Sequence, residues 1–395
     1  MWRAPRLVLG LAAVGVLGAT PTACAESARP AAAGAVVADP ARLPPGQDLY
    51  RPPADLIDGP AGTLVWFQGT VSPVAGAQAW RILYRSRGDG GEPILASGLL
   101  LRPSTPAPSG GFPVVSWAIG TPGIADRCAP SKYPAVVPRL RRLLQAGFVV
   151  VAADGEGLGT RGPAHYLIGR SDAHTILDAA RAADGLPGLA ASDRVGLWGY
   201  SSGGHGALFA AQEAADYAPE LDVFATAAVA PVVSVTRFIA PVDDHPGFTF
   251  LTVGAWTKVH DIDPATIFTA RAMAEVPRLR TECALTLAFD WPLWRRQDLL
   301  LHDLRTTEPW RRLMADQLAG TSSLEGPVLL LHGTADSIVA PRPTEALAAR
   351  LCRFGDTVEY DPISGEDHFI AYTTGARVVD WLAARADGQP ASTTC

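Results

Sequence analysis

A serine flanked by two glycines lies between a strand-like and a helix-like stretch. Residues 199–203 read Gly-Tyr-Ser-Ser-Gly and match the pattern G-x-S-x-G, which marks a tight turn that exposes a nucleophilic serine. An apolar run, residues 195–198, precedes the pattern, and an alanine-rich stretch, residues 205–216, follows it. This context predicts Ser201 as a nucleophile. Ser202 is excluded because a tyrosine stands two positions before it.

The predicted nucleophile needs a base, usually a histidine oriented by a carboxylate. In α/β-hydrolases the chain order of the three residues is serine, acid, histidine. Asp336 ends the stretch His332-Gly333-Thr334-Ala335-Asp336, which directly follows the apolar run of residues 327–331. Of the eight histidines only His368 lies beyond Asp336. We therefore predict that Ser201, Asp336 and His368 form a catalytic triad. Two other aspartates remain open as the acid, Asp361 and Asp367.

Acyl transfer also needs two backbone donors for the oxyanion that develops on the substrate carbonyl. One is predicted to be the N–H of Ser202, the residue after the nucleophile. The other is expected in the loop of residues 118–123, directly after the strand predicted at residues 113–117. Pro122 has no N–H, so Thr121 is favoured. Two glycines of the same loop remain open for this role, Gly120 and Gly123.

Alternating strand-like and helix-like segments must position these residues. Three β-branched or aromatic stretches predict an antiparallel start, at residues 63–68, 80–85 and 94–101. Five apolar runs predict strands buried on both faces of a mostly parallel sheet, at residues 113–117, 148–152, 195–198, 328–331 and 357–360. Helical patterns lie between them, such as residues 173–183 and 343–351. The sequence therefore predicts an α/β fold with helices on both faces of a mostly parallel central sheet.

The spacing within the triad fits this architecture. The 32 positions from Asp336 to His368 leave room for one helix and one strand. Both residues are then expected at the same carboxyl edge of the sheet.

One region breaks the alternation, from about residue 234 to residue 320. It holds four of the chain's ten tryptophans in less than a quarter of its length: Trp256, Trp291, Trp294 and Trp310. We predict a mostly helical insertion over the sheet, within a hydrolase domain of residues 48–395.

The N-terminus has the pattern of an export signal. Two arginines precede the apolar stretch of residues 7–19, which is too short to span a bilayer, and Ala23-Cys24-Ala25 has the small-x-small form of a cleavage site. We predict a signal peptide of residues 1–25, a flexible leader of residues 26–47, and a secreted protein. An alternative remains open, in which Cys24 is the lipidated cysteine of a membrane-anchored lipoprotein.

Cysteine count and charge narrow the class of protein. Four cysteines remain after cleavage, and an even number in an exported protein predicts two disulfides, with all three connectivities open. The cysteines are Cys128, Cys283, Cys352 and Cys395. A net charge of −6 and 48% hydrophobic residues exclude a disordered chain and a general nucleic-acid binder. No recognised metal-ligand spacing is present, so we expect no cofactor or metal, and we expect a monomer.

Longer motifs resemble those of the secretory lipase family, the branch of α/β-hydrolases typified by the fungal lipase A enzymes. The resemblance rests on stretches spread over roughly residues 45–375. They are Gly120-Thr121, Cys128-Ala129-Pro130-Ser131, residues 199–204, Tyr217-Ala218-Pro219-Glu220-Leu221, His332-Gly333-Thr334-Ala335-Asp336 and Asp367-His368-Phe369. The Cys-Ala-Pro-Ser and Tyr-Ala-Pro-Glu-Leu stretches are far more specific than G-x-S-x-G.

The resemblance implies hydrolysis of carboxylic esters of lipids, with a lipid or small ester as substrate and contact with a lipid–water interface. It implies that the insertion is a helical lid over an acyl-binding tunnel, that Cys128 pairs with Cys283, and that Cys352 then pairs with Cys395. Ile119 departs from the more polar residue that bacterial members often have before Gly-Thr.

Two other functions are compatible with the same sequence features. A secreted serine peptidase would have the same triad, and a non-catalytic envelope protein could keep a hydrolase scaffold.

Overall fold

A ten-stranded sheet forms the centre of the computed structural model, which describes residues 41–133, 137, 139–289 and 293–395. The strands are β1 (Ala41–Arg42), β2 (Leu64–Thr70), β3 (Gln78–Arg87), β4 (Pro93–Arg102), β5 (Phe112–Ala118), β6 (Val149–Ala153), β7 (Ala191–Tyr200), β8 (Asp222–Val229), β9 (Val328–Gly333) and β10 (Val358–Ile363). Their order across the sheet is β1-β2-β3-β4-β6-β5-β7-β8-β9-β10.

The pairing of neighbouring strands changes twice along this order, because the short β1 pairs parallel with β2. Strands β2, β3, β4 and β6 pair antiparallel, whereas β6, β5, β7, β8, β9 and β10 pair parallel. The apolar runs of β5, β6, β7 and β9 are buried because helices cover both faces. The run of residues 357–360 was also predicted to be buried on both faces, and this is wrong: β10 is the edge strand, and only Val358 of that run is buried. The predicted α/β architecture and its antiparallel start are confirmed.

Eleven α-helices accompany the sheet within the described part of the chain. They are α1 (Leu140–Gln145), α2 (Gly169–Asp184), α3 (Ser202–Tyr217), α4 (Val235–Ile239), α5 (Pro246–Val259), α6 (Ala270–Glu275), α7 (Ala284–Phe289), α8 (Arg296–Leu299), α9 (Trp310–Asp316), α10 (Arg342–Phe354) and α11 (Ile370–Ala386). Helices α2, α3 and α10 pack on one face of the sheet, and α1 and α11 pack on the other.

Two features of the sheet differ from the sequence-based expectations. Strand β8, between β7 and β9, was not predicted, because its alanines at 225, 227 and 228 have low β propensity and only burial between two parallel neighbours makes them strand residues. The leader predicted as flexible to residue 47 already pairs at its end, where Ala41 and Arg42 lie beside Trp66 and Phe67 of β2. Its prediction is wrong for those two residues.

Helices α4 to α9 lie between β8 and β9, in residues 234–320, and we call this part the helical segment. It has its own apolar cluster, in which Trp256 and Trp310 are buried and stack with ring centroids 6.5 Å apart. Trp294 packs against this cluster, and Trp291 lies outside the described residues. Because these helices pack around their own apolar cluster, the alternation of strand-like and helix-like segments stops in this region.

Two disulfides cross-link the chain. Cys128, in the loop after β5, is bonded to Cys283 of the helical segment, and Cys352 of α10 is bonded to Cys395 at the C-terminus. Both pairs are those that the family resemblance implies. Within the described residues no helix is long and apolar enough to cross a bilayer. The predicted signal peptide and Cys24 lie outside the described residues.

Candidate active site

Ser201 lies at the turn between β7 and α3, in a strained backbone conformation. Its φ of 57° is in the left-handed region, which β-carbon-bearing residues rarely adopt. Glycines on either side permit this turn: a β-carbon at Gly199 would lie 2.1 Å from the carbonyl oxygen of Gly203, and one at Gly203 would lie 2.0 Å from that of Ala118. The G-x-S-x-G spacing is therefore a steric requirement of a turn that raises the serine above the sheet.

Three side chains form a continuous hydrogen-bond chain at the carboxyl edge of the sheet. His368 Nε2 lies 3.0 Å from Ser201 Oγ, and His368 Nδ1 lies 2.7 Å from Asp336 Oδ2. Asp336 follows β9 and His368 lies in the loop after β10. All three residues are buried. The structure thus brings together the residues selected from chain order, whereas Asp361 pairs with Arg377 instead.

Asp336 accepts four hydrogen bonds. Its Oδ1 atom receives the backbone N–H groups of Ile338 and Val339 at 2.9 and 2.8 Å, and its Oδ2 atom receives His368 and His332. Burial alone would raise the pKa of Asp336, but the hydrogen bonds from His332 and His368 hold it well below its ordinary value. Asp336 is therefore a stable anion that can orient His368.

His332 is a residue at this site that the sequence analysis named only as part of a motif. It is fully buried, and its Nε2 atom lies 3.1 Å from Asp336 Oδ2 and 2.9 Å from the carbonyl oxygen of Val339. Both partners accept, so Nε2 carries the proton. Nδ1 contacts Thr344 Oγ1 at 2.8 Å. The sequence feature that could have indicated this contact is the His-x-x-x-Asp spacing, which places His332 near the end of β9 and Asp336 in the turn that follows.

Tyr200 supports the histidine from the other side. Its hydroxyl donates to the carbonyl oxygen of His368 at 3.1 Å, and the two rings lie 5.2 Å apart. Tyr200 is the variable residue before the nucleophile in the G-x-S-x-G pattern, so no spacing rule could have identified this role.

The predicted oxyanion donors lie beside Ser201. Ser202 is the first residue of α3, so its N–H has no acceptor within the helix. Thr121 lies across from it, with its Oγ1 atom 3.2 Å from Ser202 Oγ. Within the described residues, no acceptor is bonded to the Thr121 N–H. Gly120 packs against the Tyr200 ring, and Gly123 packs against Cys283 of the helical segment.

The two most specific motifs hold buried acids in place. Ser131, of the Cys-Ala-Pro-Ser stretch, donates its N–H and hydroxyl to Asp154 at 2.7 and 2.5 Å. Tyr217, of the Tyr-Ala-Pro-Glu-Leu stretch, donates its hydroxyl to Asp178 at 2.6 Å. These motifs therefore support the scaffold around the site and do not touch the triad.

A second group of ionisable side chains lies near the oxyanion loop. Glu156 and Asp172 line a cavity of about 70 Å³ that Ser202 also lines. Burial raises the pKa of Glu156 to about 7, with Ser171 Oγ donating to it at 2.6 Å. Burial and the neighbouring Glu156 raise the pKa of Asp172 further above its ordinary range. Within the described residues, no cluster has metal-ligand geometry.

His205, four residues after the nucleophile, is a packing residue. It is fully buried, its Nδ1 atom lies 2.9 Å from the carbonyl oxygen of Val232, and burial lowers its pKa to about 4. Its ring is bonded to Val232, whereas the ring bonded to Ser201 Oγ is that of His368, so His205 is not placed as a second base.

Comparisons with known proteins agree with this fold. The family described as Secretory lipase matches residues 137–394. A Mycobacterium tuberculosis protein named "Probable inactive lipase" is 25% identical over 88% of this chain and 83% of its own length, and Lipase 10 of Candida albicans is 25% identical over 89% and 83%.

A solved structure shows the same architecture. The X-ray structure of Candida antarctica lipase A in its closed state superposes with a TM-score of 0.79 at 21% identity, covering 89% of this chain and 88% of that one. The fold is therefore that of the α/β-hydrolases, and the resemblance read from the sequence motifs is confirmed. The family match extends over more than half of the chain, and the protein belongs to the secretory lipase family.

Proposed function

We propose that this chain is a secreted serine ester hydrolase that cleaves carboxylic esters of lipids through an acyl-enzyme on Ser201. The observation that carries the proposal is the chain of two hydrogen bonds from Ser201 through His368 to Asp336, at 3.0 and 2.7 Å. Membership of a family of lipases supports the class of substrate.

The first half of the reaction forms the acyl-enzyme. His368 Nε2 takes the proton of Ser201 as the serine oxygen attacks the ester carbonyl carbon. The backbone N–H groups of Ser202 and Thr121 stabilise the oxyanion. Collapse of the tetrahedral intermediate breaks the bond to the alcohol oxygen, and His368 gives its proton to the departing alcohol.

The second half releases the acid. A water molecule enters where the alcohol left, His368 takes one of its protons, and the resulting nucleophile attacks the acyl carbon. Collapse of this intermediate frees the carboxylic acid, and His368 returns the proton to Ser201. Asp336 stays ionised throughout and stabilises the imidazolium form of His368.

We further propose that the helical segment acts as a lid over the site. His245, directly before α5, interacts electrostatically with two members of the proposed triad: burial lowers the pKa of His245, the charge of Asp336 opposes that shift, and His368 adds to it. Two leucines of the segment, Leu285 and Leu293, are 78% and 84% exposed. Exposed apolar side chains on a lid fit contact with a lipid–water interface.

Activity on esters of increasing chain length tests the substrate class. A lipid substrate predicts higher kcat/KM for long-chain than for short-chain esters. A preference for two to four carbons would make the enzyme an esterase of small substrates and would contradict the lipid proposal.

Export is proposed from the N-terminal pattern together with the family. Cleavage after Ala25 predicts that the intact mass of the protein recovered from the medium corresponds to a chain starting at Glu26. A membrane-bound product whose mass includes a lipid on Cys24 would show the lipoprotein alternative instead.

Replacement of the nucleophile tests the reaction. Ser201→Ala removes one oxygen from a buried turn and should preserve the thermal unfolding temperature while abolishing cleavage of a chromogenic short-chain ester. Ser116→Ala is the matched control, because it also removes one buried hydroxyl, which donates to the carbonyl oxygen of Ile176 and has no role in the reaction. Full activity of Ser201→Ala would overturn the proposal.

A second candidate function is a non-catalytic protein on this scaffold. It is favoured by one observation, the relative whose name calls it an inactive lipase. The two candidates differ in wild-type turnover: a non-catalytic protein would give no ester cleavage that depends on Ser201.

A further inference from the structure

Three hydroxyl groups form a chain behind the predicted oxyanion site. Tyr166 Oη lies 2.7 Å from Thr121 Oγ1, and Thr121 Oγ1 lies 3.2 Å from Ser202 Oγ. Tyr166 is 7% exposed and belongs to the loop before α2, 45 positions away from Thr121 along the chain. The mechanism above uses only the backbone N–H groups of Thr121 and Ser202, so the hydroxyl chain has no role in it.

Tyr166 is held rigidly by the helical segment. Its carbonyl oxygen accepts the indole N–H of Trp256 at 2.9 Å, and Trp256 is itself buried. The oxyanion loop is tied to the same segment, because the carbonyl oxygen of Pro122 accepts the N–H of Ala284 at 3.0 Å. Both ends of the Tyr166–Thr121 hydrogen bond are therefore fixed by contacts with the helical segment.

The direction of the hydrogen bonds follows from the chemistry of the three groups. Burial raises the pKa of the Tyr166 hydroxyl far above neutrality, so this group keeps its proton at any working pH. A phenol is a better donor than an aliphatic hydroxyl. When Tyr166 donates to Thr121 Oγ1, the Thr121 proton is directed away from Tyr166 and is available to a second acceptor. Ser202, whose N–H is the other predicted oxyanion donor, has its Oγ atom 3.2 Å from Thr121 Oγ1.

We propose that Tyr166 is a positioning residue that orients the Thr121 hydroxyl, so that Thr121 presents a side-chain donor to the oxyanion in addition to its backbone N–H. The inference rests on the proposed function, since an oxyanion forms only if the protein is an acyl-transfer enzyme. It adds to that function a specific side-chain donor, the hydroxyl of Thr121, and the residue that orients it, Tyr166. It also makes the geometry of the oxyanion site depend on how the helical segment packs against the body.

The test removes each hydroxyl separately and then both. Thr121→Val keeps the backbone N–H and should lower kcat about a hundredfold, the usual effect of losing one oxyanion donor. Tyr166→Phe should lower kcat about tenfold with little change in KM, because the oxyanion exists only in the transition state. In the double variant, Tyr166→Phe should have almost no further effect, because it acts through Thr121.

Tyr84→Phe is the matched control. Tyr84 is also fully buried and donates its hydroxyl to a backbone carbonyl, that of Thr175, at 2.9 Å. Both tyrosine variants should lose similar thermal stability, but only Tyr166→Phe should lose kcat. A tenfold loss in kcat from Tyr166→Phe that persists in the Thr121→Val background would overturn the inference, as would unchanged kcat in Tyr166→Phe.

Failure of the inference and failure of the proposed function give different results. If the wild type and Tyr84→Phe hydrolyse ester and Tyr166→Phe does so equally well, the positioning role is wrong and the enzyme assignment stands. If the wild type shows no hydrolysis that depends on Ser201, the proposed function and the positioning role both fail.

Discussion

Two buried carboxyl groups occupy equivalent places in the fold and have opposite electrostatic properties. Asp336 follows the end of β9 by three residues, and Glu156 follows the end of β6 by three residues. Both are less than 10% exposed. The pKa of Asp336 lies well below its ordinary value, whereas burial raises the pKa of Glu156 to about 7.

The number and kind of hydrogen-bond donors account for the difference. Asp336 receives two backbone N–H groups and two imidazoles. Glu156 receives one hydroxyl, that of Ser171, and the backbone N–H of Asp89, and it faces the acids Asp89 and Glu92. Asp154 is intermediate: burial raises its pKa to about 6, although Ser97 and Ser131 donate three hydrogen bonds to it. Burial raises the pKa of all three carboxyl groups, and the hydrogen bonds that each one accepts decide how far that increase is reversed.

The largest expected effect comes from neutralising the acid that carries a charge. Asp336→Asn should lower kcat for a chromogenic ester by roughly 10⁴-fold, the size of the effect when a triad aspartate becomes an amide and leaves the histidine in the wrong tautomer. Glu156→Gln is the matched control and should change kcat by less than about tenfold. Similar losses of kcat in the two variants would contradict the difference in role between Asp336 and Glu156.

The pH dependence of the free energy of unfolding should report the protonation of Glu156. Folded Glu156 keeps its proton up to about pH 7, whereas an unfolded glutamate loses it near pH 4.5, so the folded state binds more protons in this window. Stability should fall as pH rises from 4.5 to 7, by roughly 3 kcal/mol from this group.

Glu156→Gln should reduce the fall in the free energy of unfolding between pH 4.5 and 7, as measured by denaturant unfolding at several pH values. Asp336 has the opposite sign, because its lowered pKa gives stability that is lost only under strong acid. An unchanged slope in Glu156→Gln would show that the carboxyl group is ionised in the folded protein.

A smaller effect is expected from removing one donor to Asp336. His332→Leu leaves the buried Asp336 with three hydrogen bonds and removes the partner of Thr344. We expect a loss of about 2 kcal/mol in the free energy of unfolding at pH 7, together with reduced kcat because His368 is less firmly oriented. His332→Gln can donate from a similar position and should recover part of both. Wild-type stability in His332→Leu would contradict the role of this donor.

The smallest effect concerns the single described side-chain donor to Glu156. Ser171→Ala removes its hydroxyl, which donates at 2.6 Å. At pH 8, unfolding should require about 1 kcal/mol less than in the wild type. The decline of stability should extend to a higher pH, since the charged form of Glu156 loses its partner and its folded pKa rises. A downward move would mean that the hydroxyl stabilises the protonated acid instead.

The sequence was informative where chemistry depends on local spacing. The glycines at 199 and 203 are required by the turn itself, and the chain order of Ser201, Asp336 and His368 follows from the order of strands in the sheet. Strand β8 was missed because its alanines carry no β pattern without their neighbours.

Contacts between distant segments could not be read from spacing. Tyr166 reaches Thr121 across 45 positions, and Tyr200 reaches the carbonyl oxygen of His368 across 168. Ser171 and Glu156 are close in sequence, but the pKa of Glu156 depends on burial that only the folded chain creates. Partners of this kind depend on tertiary packing, which one sequence does not specify residue by residue.

Labelling with a fluorophosphonate tests the central claim most directly, because this probe reacts with a serine only when a base has activated it. The account predicts that wild-type protein gains the mass of one adduct, that the modified peptide contains Ser201, and that Asp336→Asn labels far more slowly than Glu156→Gln. Absence of an adduct, or an adduct that persists in Ser201→Ala, would contradict the account.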